Sequence, residues 1–153
     1  MTYMTLADKA LNDEPLTRDE CRSVLNTPDD ELLALLHAAF QVRSKYFGRT
    51  VRLQMLQNAK SGACLEDCHY CSQSSISTAP IERYNLLPQK QMMEGARQAA
   101  ASKAQRYCIV ISGRSPLDRG IDEIAGAVRS IKQEVPIQIC CSLGLMSESQ
   151  AKR

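Results

Sequence analysis

The sequence predicts an α/β protein: a helical N-terminal region followed by strands that alternate with helices. Three observations carry that prediction. Capping signals and helically spaced apolar residues dominate residues 1 to about 48. After Gly48 the pattern changes to short apolar runs, each followed by a helical stretch. The second and third runs start about thirty residues apart, the length of one βαβ unit, which argues for a parallel sheet or barrel.

In the helical region, Thr17-Arg18-Asp19-Glu20 has the form of a capping box, with Thr17 capping and Glu20 reaching back. Thr27-Pro28-Asp29-Asp30-Glu31 is expected to open a longer helix, with Thr27 as the capping hydroxyl and proline at the first helical position. Leu32, Leu33, Leu36, Phe40 and Phe47 supply its expected apolar face, and Gly48 its stop. The first strand is expected over Val51 to Gln57, by alternation of apolar and polar residues. A helix follows from Pro88 to about Lys103, with Met92, Met93, Ala96 and Ala100 on one face. Arg106 to Ser112 reads as the second strand and Ile137 to Leu143 as the third. Between them Ile121, Ile124, Val128 and Ile131 mark another helix. Ser147-Glu148-Ser149-Gln150 opens one more, but the chain stops at Arg153, well short of the ~12 residues an isolated helix needs. Three strands cannot close a barrel, which in its eight-stranded form takes about 250 residues. The expectation is therefore an N-terminal fragment: helical region 1–48, then an incomplete β/α barrel over 49–153.

The 153 residues carry a formal net charge of +2, which gives no reason to expect nucleic acid or a membrane surface as partner. No apolar stretch approaches a signal peptide or membrane span, so a cytoplasmic location is expected. Seven cysteines, an odd number, argue against a disulfide framework.

Three of those cysteines share one loop, Cys64-Leu65-Glu66-Asp67-Cys68-His69-Tyr70-Cys71. The C-x3-C-x2-C spacing brings three thiolates together, as iron–sulfur sites do. Three ligands on a four-iron cube leave one iron open to a substrate or cofactor. Zinc is the alternative, but a closed structural zinc site wants four ligands, usually in two separated pairs. Its fourth ligand would be His69 or a cysteine some forty residues away.

The segment Asn58-Ala59-Lys60-Ser61-Gly62-Ala63 and the loop that follows it, through Ser72-Gln73-Ser74, closely resembles the cluster loop of the biotin synthase family of radical S-adenosylmethionine enzymes. The resemblance continues through Arg106-Tyr107-Cys108 and Cys140-Cys141-Ser142-Leu143-Gly144, and departs at Leu65, where many members carry proline. It implies a (β/α)8 TIM-type barrel, here truncated to about three β/α units. It also implies that Cys64, Cys68 and Cys71 hold a [4Fe-4S] cluster whose fourth iron binds S-adenosylmethionine, with Tyr70 beside the adenine. In that family a 5′-deoxyadenosyl radical abstracts hydrogen from dethiobiotin, and a [2Fe-2S] cluster donates the sulfur that completes biotin. Cys108 and Cys140 match two ligands of that second cluster; the remaining ligands belong to later strands, so this chain alone is not expected to make biotin. A homodimer and a flavodoxin-type electron donor are further implications of the resemblance.

Strand parity bears on the same cysteines. Alternate strand residues face opposite sides. If Ile109 and Ile111 face the helices, Arg106, Cys108, Val110 and Ser112 turn inward; if Ile137, Ile139, Cys141 and Leu143 do, Cys140 turns inward and Cys141 does not. The other readings are another radical enzyme of the lipoyl synthase or maturase kind, and a zinc-binding module. Only Cys21 precedes the loop, where lipoyl synthase uses a second cysteine group. A zinc module leaves the β/α units unexplained.

Overall fold

A parallel sheet forms where residues 54 to 142 supply three runs that can bury one face beneath helices. The computed structural model describes residues 2–62 and 64–153, and the chain divides into two compact units, Met1–Val51 and Arg52–Arg153.

The first unit is helical: α1 (Tyr3–Leu11), α2 (Arg18–Leu25), a 3-10 turn over Asp29–Glu31, and α3 (Leu32–Phe47). The Thr17 capping box forms as expected. Thr17 Oγ1 accepts from the Glu20 amide at 3.2 Å, and the Glu20 carboxylate accepts from the Thr17 amide at 2.7 Å. Lys9 Nζ also donates to Glu20 at 2.6 Å; that bond first, then the Thr17 amide, holds the Glu20 carboxyl below the usual carboxylate range.

Two expectations for α3 fail. Thr27 does not cap it: the hydroxyl turns back and donates to the Val24 carbonyl at 2.8 Å, so the chain enters α3 through the 3-10 turn. The leucine and phenylalanine stripe does not become the packed face either. Leu33 is 80% exposed and Phe47 60%, while Ala38 is 3% exposed. α1 and α3 are in contact, with Leu6, Ala7 and Ala38 buried and Leu35, Ala39 and Val42 lining the hollow beside them. Alanines let two helix backbones approach closely, which a leucine stripe does not. Gly48, at φ +55, ends α3 as expected.

The second unit runs β1 (Gln54–Lys60), α4 (Gln89–Ala101), β2 (Arg106–Ile111), α5 (Asp118–Glu134), β3 (Gln138–Ser142) and α6 (Glu148–Ala151). The strands are parallel in the order β1-β2-β3. The expected first strand is displaced by three residues, since β1 starts at Gln54 and ends at Lys60. Pairing decides this: Gln54 lies opposite Arg106 and Lys60 opposite Ile111, which draws polar Asn58 and Lys60 into the ladder. The other elements fall within one or two residues of expectation, and Ser147 forms its capping box with Gln150.

One face of the sheet is packed by α4 and α5. Its core joins Met92, Ala96 and Ala99 of α4 and Ile124 and Ile131 of α5 to Tyr107 and Ile109 of β2, all at or below 2% exposure. Tyr107 is the buried polar exception. Its hydroxyl donates to the Met92 carbonyl at 3.0 Å, with Gln57 Oε1 3.3 Å away.

Burial pushes the Tyr107 hydroxyl up from 10.0 to about 12. The unfolded chain therefore loses this proton first as pH rises. The stability it carries is complete below about pH 10 and is lost on the way to about pH 12, by about 2–3 kcal/mol in all. Tyr107→Phe is expected to cost about 1–2 kcal/mol near neutral pH. Urea unfolding should show that gap closing at about pH 11. A gap independent of pH would refute the linkage.

Candidate metal centre

The cysteine loop leaves β1 and returns to it, so its base is fixed by backbone pairing. Ser61 and Tyr84 exchange two amide–carbonyl bonds of 3.1 Å, and the Tyr84 hydroxyl donates to the Asn58 carbonyl at 2.7 Å. Gly62 takes φ +74 there, and a Cβ on it would lie 2.6 Å from Arg83 Cγ. Only glycine fits both conditions without strain. Gln73 locks the loop from inside: the Gly62 amide donates to Gln73 Oε1 at 2.6 Å, which fixes the orientation of the Gln73 side-chain amide. Ser112 Oγ, just beyond β2, donates to the Gly62 carbonyl at 2.8 Å and ties the loop to the neighbouring strand.

Within this frame Cys64 is held on both sides. Its amide donates to the Gln73 carbonyl at 3.1 Å and its carbonyl accepts from the Ser75 amide at 2.8 Å. Cys68 and Cys71 bracket one turn, closed by a 2.8 Å bond from the Cys71 amide to the Cys68 carbonyl. All three cysteines are free, Cys64 partly covered and the other two exposed.

They line one cleft of about 520 Å³, at the C-terminal ends of the three strands. Asn58, Val110, Ser112 and Gly113 form its floor, and Glu66, Arg114 and Leu145 stand on its rim. Arg114 Nη1 donates to Glu66 Oε1 at 2.8 Å. In β/α barrels this is the end that carries active sites, and the volume lies in the range of ligand sites, about 300–1,000 Å³.

The donor set fits an iron–sulfur cluster better than a single ion. Zinc gathers thiolates around one point at about 2.3 Å. A closed site of that kind takes four ligands, and three cysteines line this cleft. A four-iron cluster takes one thiolate per iron, so three cysteines spread around a cleft suit it. His69 is exposed and does not line the cleft.

A second pair of cysteines lies deeper. Cys108 and Cys140 are register partners on β2 and β3 and share the sheet face that the helices do not cover. Cys108 sits two residues along β2 from Val110, roughly 7 Å from the cleft floor, with Cys140 beside it. Leu56 of β1 completes their row. In the next row Arg106 donates to Gln138 Oε1 at 3.3 Å. Burial, and after it the adjacent Cys140, push the Cys108 thiol up to about 11, against the pull of Arg106. Cys141 lies on the other face, in a groove with Ile121, Ile124 and Val128 of α5.

Tyr70 is not brought to the cleft; its side chain is fully exposed, at 104% of the reference area. The structural roles of Gln73, Ser112 and the Glu66–Arg114 pair were not assigned from the sequence. Gln73 stands inside the recognisable motif, but nothing in the motif says that its side chain binds the Gly62 amide. Ser112 and Arg114 meet the loop only through the pairing of β1 with β2.

Comparison with known proteins follows the same lines. The family model described as the Radical SAM superfamily matches residues 59–153. Biotin synthase of Bacillus pumilus (strain SAFR-032) is 48% identical over 153 residues, 100% of this chain and 46% of that protein. Biotin synthase of Bacillus subtilis (strain 168) is 45% identical over 151 residues, 99% of this chain and 45% of that protein. The chain thus spans about half the length of these curated relatives. Among solved structures, methylornithine synthase (PylB) superposes with a TM-score of 0.77 at 24% identity, over 95% of this chain and 42% of the other. The FeFe-hydrogenase maturase HydG from Carboxydothermus hydrogenoformans gives 0.71 at 19%, over 97% and 34%. These two likenesses speak for the fold, a partial β/α barrel. With its cysteine loop at the C-terminal ends of parallel strands and the family match spanning 59–153, the chain belongs to the Radical SAM superfamily.

Proposed function

We propose that this chain carries the radical-generating part of a biotin synthase, which inserts sulfur into dethiobiotin to form biotin. The observation that carries the reading is identity of 45–48% to biotin synthases along the whole chain. When bound, a [4Fe-4S] cluster with S-adenosylmethionine supplies reductive cleavage of the sulfonium and a 5′-deoxyadenosyl radical. Cys64, Cys68 and Cys71, which line the cleft, would hold three irons and leave the fourth without a protein ligand. Gln73 and Ser112 both bind Gly62 and keep the loop base, two residues before Cys64, in one conformation.

Cys108 and Cys140 would hold one side of a [2Fe-2S] sulfur donor, with Arg106 offsetting thiolate charge in the row below. Their position beneath the cleft floor, on the face away from the helices, supports that assignment. Tyr70 would contact the adenine, which requires its exposed ring to turn inward. A flavodoxin-type reductant, a homodimer and a cytoplasmic location belong to the same proposal. So does the division into a helical region over 1–48 and the barrel segment over 49–153.

Anaerobic reconstitution with iron and sulfide, followed by EPR of the reduced sample, tests the reading. The expected result is a reduced [4Fe-4S] signal that changes when S-adenosylmethionine is added. Tight zinc uptake with no cluster signal would overturn it.

A further inference from the structure

Glu66 occupies the middle of the C-x3 interval between Cys64 and Cys68, and Arg114 follows Gly113 just beyond the end of β2. Their side chains meet at 2.8 Å on the rim of the cysteine cleft. The main chain of Arg114 also carries the next loop. Its carbonyl accepts from the Leu145 amide at 2.8 Å, and a Cβ on Gly144 would lie only 2.4 Å from that oxygen. One residue therefore joins the three segments that follow β1, β2 and β3 around the cleft.

Both side chains are open to solvent, Arg114 at 65% and Glu66 at 42%. An ion pair this exposed contributes little to folding. What it does provide is a fixed positive and a fixed negative charge beside the three thiols. A cluster that gains an electron at such a place responds to nearby charge, since charge, hydrogen bonding and solvent exposure set cluster potentials.

The geometry points to Arg114 and Glu66 as a positioning pair that orients the cysteine loop and sets the reduction potential of the cluster it holds. The inference rests on the cluster reading above. Arg114 stabilises the reduced, more negative cluster, and Glu66 opposes it while holding the guanidinium in place.

The test is a redox titration by EPR on the reconstituted chain without S-adenosylmethionine. The parent is compared with Arg114→Met, Glu66→Gln, the double variant and Arg114→Lys. Arg114→Met is expected to lower the equilibrium constant for reduction about threefold, roughly 28 mV at about 59 mV per tenfold for one electron. Glu66→Gln should shift it by a similar amount in the opposite direction. The double variant and Arg114→Lys should stay near the parent. A purely structural latch predicts shifts of the same sign for both single variants, and that result, or no shift in either, overturns the inference. If Arg114→Met fails to hold a cluster, the sign of the Glu66→Gln shift decides alone. A parent that takes up iron while the variants match it leaves the cluster reading standing; a parent that takes up none overturns both.

Discussion

Alanine at any one of Cys64, Cys68 or Cys71 is expected to abolish the reduced [4Fe-4S] signal, whereas Cys108→Ala and Cys140→Ala should leave it intact. Three thiols line the cleft at the strand ends, and among the described residues that line it no further cysteine or histidine stands in for a missing one: Glu66 is there but is paired with Arg114. Each single loss leaves two ligands, too few to hold the cube. Cys108 and Cys140 lie a row below the cleft floor, on strands that form regardless of their side chains. Their replacement removes no ligand of the upper site. Cys141→Ser serves as a control, because that residue lies on the helix-packed face. Iron content and EPR amplitude on matched samples give the answer. A signal surviving in Cys68→Ala, or lost in Cys108→Ala, would show that the two groups have been assigned wrongly.

Gly144→Ala is expected to be the most damaging of the glycine substitutions, at about 2–4 kcal/mol. The residue has φ +79, where a Cβ is strained, and that Cβ would sit 2.4 Å from the Arg114 carbonyl oxygen and 2.9 Å from that of Gly113. Both obstacles are backbone, so no side-chain rotation relieves them. The movement falls on the loop that carries Arg114, and cluster uptake should weaken along with stability. Gly120→Ala gives the contrast. Gly120 lies in α5 with Leu86 Cδ2 3.8 Å from its would-be Cβ, so alanine there should stabilise by about 0.5–1 kcal/mol through helix propensity. Urea midpoints of the two variants should move in opposite directions. Equal shifts would mean that the close approach at Gly144 is relieved by loop movement.

Where local chemistry decides, sequence and structure agree. The Thr17 and Ser147 capping boxes need only residues three apart, and both form. Helices α4 and α5 follow the spacing of Met92, Ala96, Ile121, Ile124 and Ile131, since each presents a continuous apolar face. Residue parity likewise separates the face of Cys108 and Cys140 from that of Cys141, because a strand has only two faces.

Two of the three differences involve a partner remote in sequence; the first is local, between Thr27 and Val24 three residues before it. Thr27 had two acceptable roles, and the C-terminal carbonyls of α2 took its hydroxyl. Helix α3 carries two apolar stripes, and contact with α1 selected Ala38 over Leu33. β1 could slide by several residues along an apolar-polar pattern until β2 set its register.

The sequence by itself determined the α/β class, most element positions, the three-cysteine loop and the kinship that identifies it, because these depend on residue types at short spacing. Only the tertiary structure decided that Gln73 binds the Gly62 amide, that Ser112 ties the loop to β2, and that Arg114 meets Glu66. Those contacts join residues 11, 50 and 48 positions apart. No local propensity encodes them: the Gln73 contact needs the cysteine loop to close on itself, and the Ser112 and Arg114 contacts need parallel pairing to bring the strand ends together.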